Sequence, residues 1–240
     1  MKLLKWIGIA LGALLGLVVL AALAVVLLVD PNDYRDEIAA RVEAATGRPL
    51  TIDGDLRLSL FPWIALDVDR VTLGNPPGFE GAPLLRAESA RVGMKLLPLL
   101  QRRVEVRRIA VTAPEIELVT LADGRDNWSD LGESEDPAPA DAGPRVQSLR
   151  IAGFDVVRGA LTIRDLRENT VTRVRDLAVT TGALGGTEPT RVELAALVDA
   201  GEGTAATRLA LKADTRLDLP ASRVQLSDWT LDGERRPPPA

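Results

Sequence analysis

The sequence contains no cysteine and no histidine. Without cysteine there can be no disulfide framework, no thiolate metal site and no thiol nucleophile. Without histidine the usual neutral-pH general base, the Ser-His-Asp triad and the commonest transition-metal ligand are also excluded. Catalysis would fall to carboxylates, hydroxyls and a few lysines, so the inventory leans away from an enzyme. No glycine-rich phosphate cradle and no metal-ligand cluster is present, and no cofactor is expected. Lysine is scarce as well, at four of the 29 basic residues against 34 acidic ones, for a net charge of −5. An acidic chain is a poor ligand for phosphate backbones, so nucleic acid is not an expected partner. Aromatic residues make up only 3%, which leaves Leu, Val and Ile to build any apolar surface.

What is present begins with an uncharged run from Trp6 to Val29, flanked by Lys2 and Lys5 before it and Asp30 after it. A helix over residues 1–29 is long enough for a bilayer core of about 30 Å. The flanking charges place its N-terminus in the cytoplasm and the remainder across the membrane. Ala22-Leu23-Ala24 resembles a signal-peptidase site, but Val25 to Val29 extend the apolar run beyond it, which favours an uncleaved anchor. Gly8, Gly12 and Gly16 form a small-residue stripe along that helix.

Asp30-Pro31 then offers an N-cap and a first-turn proline, and Tyr34, Ile38, Val42 and Ala45 fall on one helical face before Gly47. The spacing predicts a short amphipathic helix covering the end of a sheet. Its acidic and basic residues are balanced, unlike those of a membrane-surface helix. From residue 50 the period becomes two. Ile52, Leu56, Leu58 and Leu60, then Ile64, Leu66 and Val68, alternate with polar residues. At Arg70 the phase slips, so that Val71 and Leu73 resume on odd positions, the mark of a bulge. Further alternating runs lie at Val104–Val111, Ile116–Leu118, Leu149–Ile151, Leu161–Ile163, Leu177–Val179, Val192–Val198, Leu209–Leu211, Leu217–Leu219 and Val224–Leu226. No strand–helix alternation interrupts them, and the expectation is an antiparallel all-β body. Residues 132–145 read as an acidic Pro/Ala-rich linker, and residues 232–240 as a disordered tail. The chain thus divides into an anchor (1–29), a helix-plus-β region (30–131), the linker, a second β region (146–231) and the tail. Asn127-Trp128-Ser129 is formally a glycosylation sequon. Carboxylate pairs such as Asp67/Asp69 sit on the polar side of a strand, with no partner that singles them out for catalysis.

Several segments occur in a telling order: Asp30-Pro31-Asn32-Asp33-Tyr34, Thr46-Gly47-Arg48, Gly54-Asp55-Leu56 and Phe61-Pro62-Trp63. They continue with Gly74-Asn75-Pro76-Pro77-Gly78-Phe79, Pro98-Leu99-Leu100, Pro114-Glu115-Ile116 and Asp123-Gly124-Arg125-Asp126-Asn127-Trp128. Over residues 1–131 the chain resembles the N-terminal region of the AsmA family of bacterial envelope proteins, and residues 146–231 resemble its later β-repeats. The resemblance implies a mainly β protein: an N-terminal transmembrane helix, a short amphipathic helix, then an elongated antiparallel β-sheet curled into a chorein-like groove. It implies anchoring in the inner membrane with the bulk of the chain in the periplasm. The implied function is binding of phospholipid in the hydrophobic groove, in support of lipid transport to the outer membrane or of its homeostasis. Lining residues would be Leu56, Leu58, Leu60, Ile64, Leu66, Val68, Leu161, Ile163, Leu209 and Leu211, with Trp6, Gly8, Gly12, Gly16 and Val29 in the anchor. Other envelope proteins are potential partners. The alternative function is a membrane-tethered periplasmic scaffold that assists outer-membrane protein assembly through its sheet edges. Periodicity alone favours an aliphatic face closed on itself as a sandwich core, and the resemblance reverses that preference. Family members are usually longer, so the chain is expected to be either a fragment or a short member that hands lipid on.

Overall fold

A computed structural model describes residues 30–59, 64–95, 105–132, 150–184, 189–199, 206–218 and 223–235. Leu60 and the expected anchor residues Trp6, Gly8, Gly12, Gly16 and Val29 lie outside these ranges. Among the described residues no helix is long and apolar enough to cross a membrane.

The chain enters as the sequence predicts. The Asp30 carboxylate accepts the Asn32 N–H at 2.9 Å, Pro31 opens a 3-10 turn (Pro31–Tyr34), and helix α1 (Arg35–Thr46) follows. Gly47 closes it with φ 66, its N–H on the Glu43 carbonyl at 2.8 Å. The expected apolar stripe is realised only in part. Ile38 and Val42 are half-buried, Tyr34 is 51% exposed and lies in the preceding turn, and α1 buries no side chain fully. The helix packs at a corner, against the three-residue strand β1, which is too short to cover a whole helical face.

The rest is one sheet of eleven strands. They are β1 (Leu50–Ile52), β2 (Leu56–Ser59), β3 (Ile64–Leu73), β4 (Leu85–Met94), β5 (Glu105–Thr112) and β6 (Glu115–Thr120). After residues 121–149 come β7 (Arg150–Asp165), β8 (Thr170–Thr181), β9 (Thr190–Asp199), β10 (Thr207–Asp218) and β11 (Arg223–Arg235). The path runs β1-β3-β4-β5-β7-β8-β9-β10-β11, with β2 also on β3 and β6 between β4 and β7.

Two features correct the expectation of a wholly antiparallel sheet of short strands. First, β5 and β6 both pair with β7 in parallel, Glu105 facing Arg150 and Thr120 facing Asp165 at one constant offset. Parallel pairing needs a long return connection, and the stretch between β6 and β7 supplies it. Strands on the two sides of the 132–145 segment therefore share one sheet. Second, Ile151 and Leu161–Ile163 belong not to separate strands but to the two halves of β7, and Leu209–Leu211 and Leu217 both fall in β10; Leu149 and Leu219 lie outside the described residues. Arg158-Gly159, between the two expected runs, is a bulge within a continuous strand.

That bulge belongs to a line of left-handed backbone positions. Arg70 on β3, Ala113 between β5 and β6, Arg158 on β7 and Asp176 on β8 all have left-handed φ, at 47°, 47°, 58° and 51°. The Ala113 N–H bonds the Val157 carbonyl at 2.8 Å. The Arg158 guanidinium reaches over the β5/β6 junction to Glu88 of β4 at 2.6 Å. A bulge bends its strand and sharpens the local twist; the register shifts on β7 and β8, in line with the left-handed residues at Ala113 and at Arg70, where β3 and β4 keep one register, form a crease across the sheet. On the side opposite the Arg158–Glu88 pair the crease is lined by small residues, Ala87, Pro114 and Gly159, all buried. A Cβ on Gly159 would stand 3.0 Å from Val156 Cγ1 and 3.2 Å from the Leu177 carbonyl.

Candidate functional site: the aliphatic face

In a pleated sheet directly opposite residues share a face, so the registers trace each row across the sheet. One row runs Leu56–Val68–Ala90–Val111–Val156–Val179–Leu194–Leu211–Leu231, an aliphatic residue on each of nine strands. A second runs Leu58–Leu66–Val92–Ile109–Phe154. Beyond the crease a third runs Leu50–Leu73–Leu85–Ile116–Leu161–Val174–Val198. The bulges keep these rows on one face. Val174 and Val179 are five residues apart on bulged β8, yet face Val198 and Leu194, four apart on unbulged β9.

The expected lining residues can now be placed. Leu56, Leu58, Leu66, Val68, Leu161 and Leu211 belong to the three rows. Ile64 joins the same face opposite Met94, Ile163 opposite Leu118, and Leu209 opposite Ala196. Leu56 is only 2% exposed and lies where the 3-10 turn meets β2, so it packs the end of the sheet. Ile163 is 38% exposed. Sequence reasoning did not single out Val92, Ile109, Val156, Val179 or Leu194, although the alternating runs containing Ile109, Val179 and Leu194 were visible.

The opposite face carries charges paired across strands. Arg57 meets Asp69 at 2.8 Å, Arg91 pairs with Asp67, Arg108 with Asp155 at 2.6 Å, Arg164 with Glu117 at 2.9 Å and Arg191 with Asp214 at 3.3 Å. Exposed pairs of this kind stabilise by roughly 0–1 kcal/mol each; their effect is to keep that face wet. The aliphatic face has no covering layer among the described residues. Among the described residues only eight apolar side chains are buried, and four of them are alanine, far fewer than two packed sheets would bury.

Several residues of the segments quoted above converge at one end of the sheet. Arg48 is wholly buried, its Nη1 donating to the Thr46 carbonyl at 2.7 Å and its Nη2 to the Asn127 carbonyl at 2.9 Å and to Asp130. Asn127 is equally buried. Its Oδ1 accepts the Val119 N–H at 2.9 Å, and its Nδ2 donates to Asn75 at 2.8 Å and the Glu117 carbonyl at 2.9 Å. This clasp ties the end of α1 and the loop after β3 to the loop after β6. Its role is architectural, and burial removes Asn127 as a glycan acceptor.

The sequence profile described as AsmA family matches residues 1–238. The chain is 29% identical over 150 residues to Protein AsmA of Escherichia coli (strain K12), covering 62% of this chain and 24% of that protein. It is 26% identical over 166 residues to AsmA family protein YhjG of the same organism, covering 64% and 24%. The chain thus matches about a quarter of the length of these curated relatives.

Proposed function

Given that the chain belongs to the AsmA family, we propose that its aliphatic face binds the acyl chains of phospholipid. The sheet then acts as a periplasmic conduit or reservoir, tethered to the inner membrane by residues 1–29. The observation that carries this reading is the unbroken aliphatic row across nine strands, with no second layer over it among the described residues. Eight inter-strand gaps of about 4.8 Å make this row roughly 38 Å wide. Such a surface is unstable in water unless something apolar occupies it, and an acyl chain gains about 0.8 kcal/mol per methylene buried. The crease supports a curled shape: bending toward the aliphatic side crowds that side, which fits Ala87, Pro114 and Gly159 there and the long Arg158–Glu88 pair outside. A trough so formed would shield acyl chains and leave headgroups at its mouth, which calls for no covalent chemistry.

The test is charge placed on the two sides of the crease. Leu58→Asp and Leu161→Asp, each on the proposed lining, should reduce phospholipid retained by the purified full-length chain by about tenfold or more, since an unpaired carboxylate among acyl chains costs well over 1.4 kcal/mol. Thr162→Asp, next to Leu161 on the charged face, should leave retention unchanged. Full retention by folded Leu58→Asp and Leu161→Asp would remove the aliphatic face from the function.

A further inference from the structure

The two ends of the sheet are finished differently. At the β2 end Asn32 occupies the place of another strand: its Oδ1 accepts the Leu56 N–H at 2.9 Å and its Nδ2 donates to the Leu56 carbonyl at 3.3 Å. At the other end β11 pairs, among the described residues, with β10 alone. Its outer edge is a row of hydrogen-bonding groups ready to template a further strand. It also bears the two most exposed large apolar side chains described, Trp229 at 61% and Leu231 at 56%.

The bulge at Asp228, φ 47, restricts what can pair there. Leu231 faces Leu211 on β10 and Leu226 faces Thr215, so positions 226 and 231, five apart, belong to one face. In a two-fold antiparallel pair of identical strands, opposed residues must share a face. An unbulged strand meets this condition only for residues an even number apart, whereas this bulged one meets it with 226 opposite 231. The same register sets Arg223 opposite Glu234 twice by symmetry, Gln225 opposite Asp232 and Ser227 opposite Thr230. No like charges are opposed. Shifting the register by two residues one way leaves Arg223 without an acidic partner, and shifting it the other way sets Arg223 opposite Asp232 but shortens the pairing to residues 223–232.

We infer that β11 is a dimerisation edge: a second copy of this chain adds antiparallel to it, with position 226 opposite 231 of its mate. The aliphatic row ending in Leu211 and Leu231 then gains Leu226 of the second copy, beyond which the row meets that copy's Thr215 and Thr190, and the same face of the sheet spans both copies. The inference holds whatever that face binds.

The chain has no cysteine, so introduced thiols report without background. Leu226→Cys and Leu231→Cys are placed in two differently tagged full-length copies, expressed together and mildly oxidised. Opposed positions in antiparallel strands have Cα atoms about 4.5–5.5 Å apart, within disulfide reach, while each position's own symmetry mate is several residues away. The expected result is a disulfide-linked dimer bearing both tags, at least about tenfold more abundant than from either variant alone. Absence of the mixed dimer, or equal dimer from each variant alone, overturns the proposal. Charge exchange checks the register independently: Arg223→Glu and Glu234→Arg should each lose co-purification of the two tags, and the double variant should regain it. Failure of the double variant to regain it also overturns the register.

Discussion

Asn127 and Arg125 sit two residues apart in one stretch, Asp123 to Trp128, yet their environments differ completely. Asn127 saturates the Val119 N–H and the Glu117 carbonyl from a buried position. Asn127→Ala leaves those groups unpaired and should destabilise the protein by about 3 kcal/mol, read as a lower urea midpoint. Arg125 is exposed, its guanidinium 5.9 Å from the Phe79 ring, and Arg125→Ala should change stability by no more than about 1 kcal/mol. Equal effects would mean the clasp is not what the stretch is for. A third residue tests electrostatics. In the β7–β8 turn Asp165 receives the Arg167 guanidinium at 2.7 Å and the Arg167 N–H at 2.8 Å, which lowers its pKa to about 2. A depressed carboxylate pKa adds stability above the ordinary aspartate range, lost as pH falls toward the folded value. NMR titration should place Asp165 near that value, and Arg167→Gln should move it back up toward the ordinary one. A titration unchanged by Arg167→Gln would contradict the assigned cause. The sequence held Arg48 only as part of a resemblance, and Asn127 as part of that resemblance and of a formal glycosylation sequon. That Arg48 would be buried was not legible, because arginine is almost never buried without a partner and its partners lie about eighty residues on in the chain.

At the scale of elements the crease is the feature with most consequence. Its Arg70 component could be read directly, because the apolar positions change from even to odd there. Its Arg158 component could not, since Gly159 beside a charged residue looks like the end of a strand rather than a bend within one. Left-handed φ disfavours branched side chains most. Ala113→Val should therefore destabilise by at least about 1 kcal/mol while Ala113→Gly is neutral or mildly stabilising, compared by chemical denaturation. Gly54 tests the other tight approach, where the strand connection β1–β2 passes β3. A Cβ there would lie 2.3 Å from the Asp69 carbonyl oxygen, so Gly54→Ala should cost about 2 kcal/mol. Tolerance of both Ala113→Val and Gly54→Ala would mean the strands rearrange freely, and the crease would not be a fixed element.

Over the whole molecule, alternation established that the chain is a β-sheet with one aliphatic face, because burial on a sheet imposes period two whatever the strands pair with. For the same reason alternation is blind to direction, and the parallel pairing of β5 and β6 with β7 had no local signal. Whether the face closes on itself or stays open was likewise undetermined by periodicity; it depends on whether a second layer exists, and the described strands form a single layer. The distinction matters because a closed face is a core and an open one is a surface for a ligand. The account rests on the second. It is tested most directly by a photo-crosslinking amino acid placed in the full-length chain in living cells, at Leu161 and Leu194 on the aliphatic face and at Thr162 and Glu193 beside them on the other. The account predicts light-dependent phospholipid adducts, identified by mass spectrometry, at Leu161 and Leu194, with background at Thr162 and Glu193. Adducts at all four positions alike, or none at Leu161 and Leu194, would contradict it.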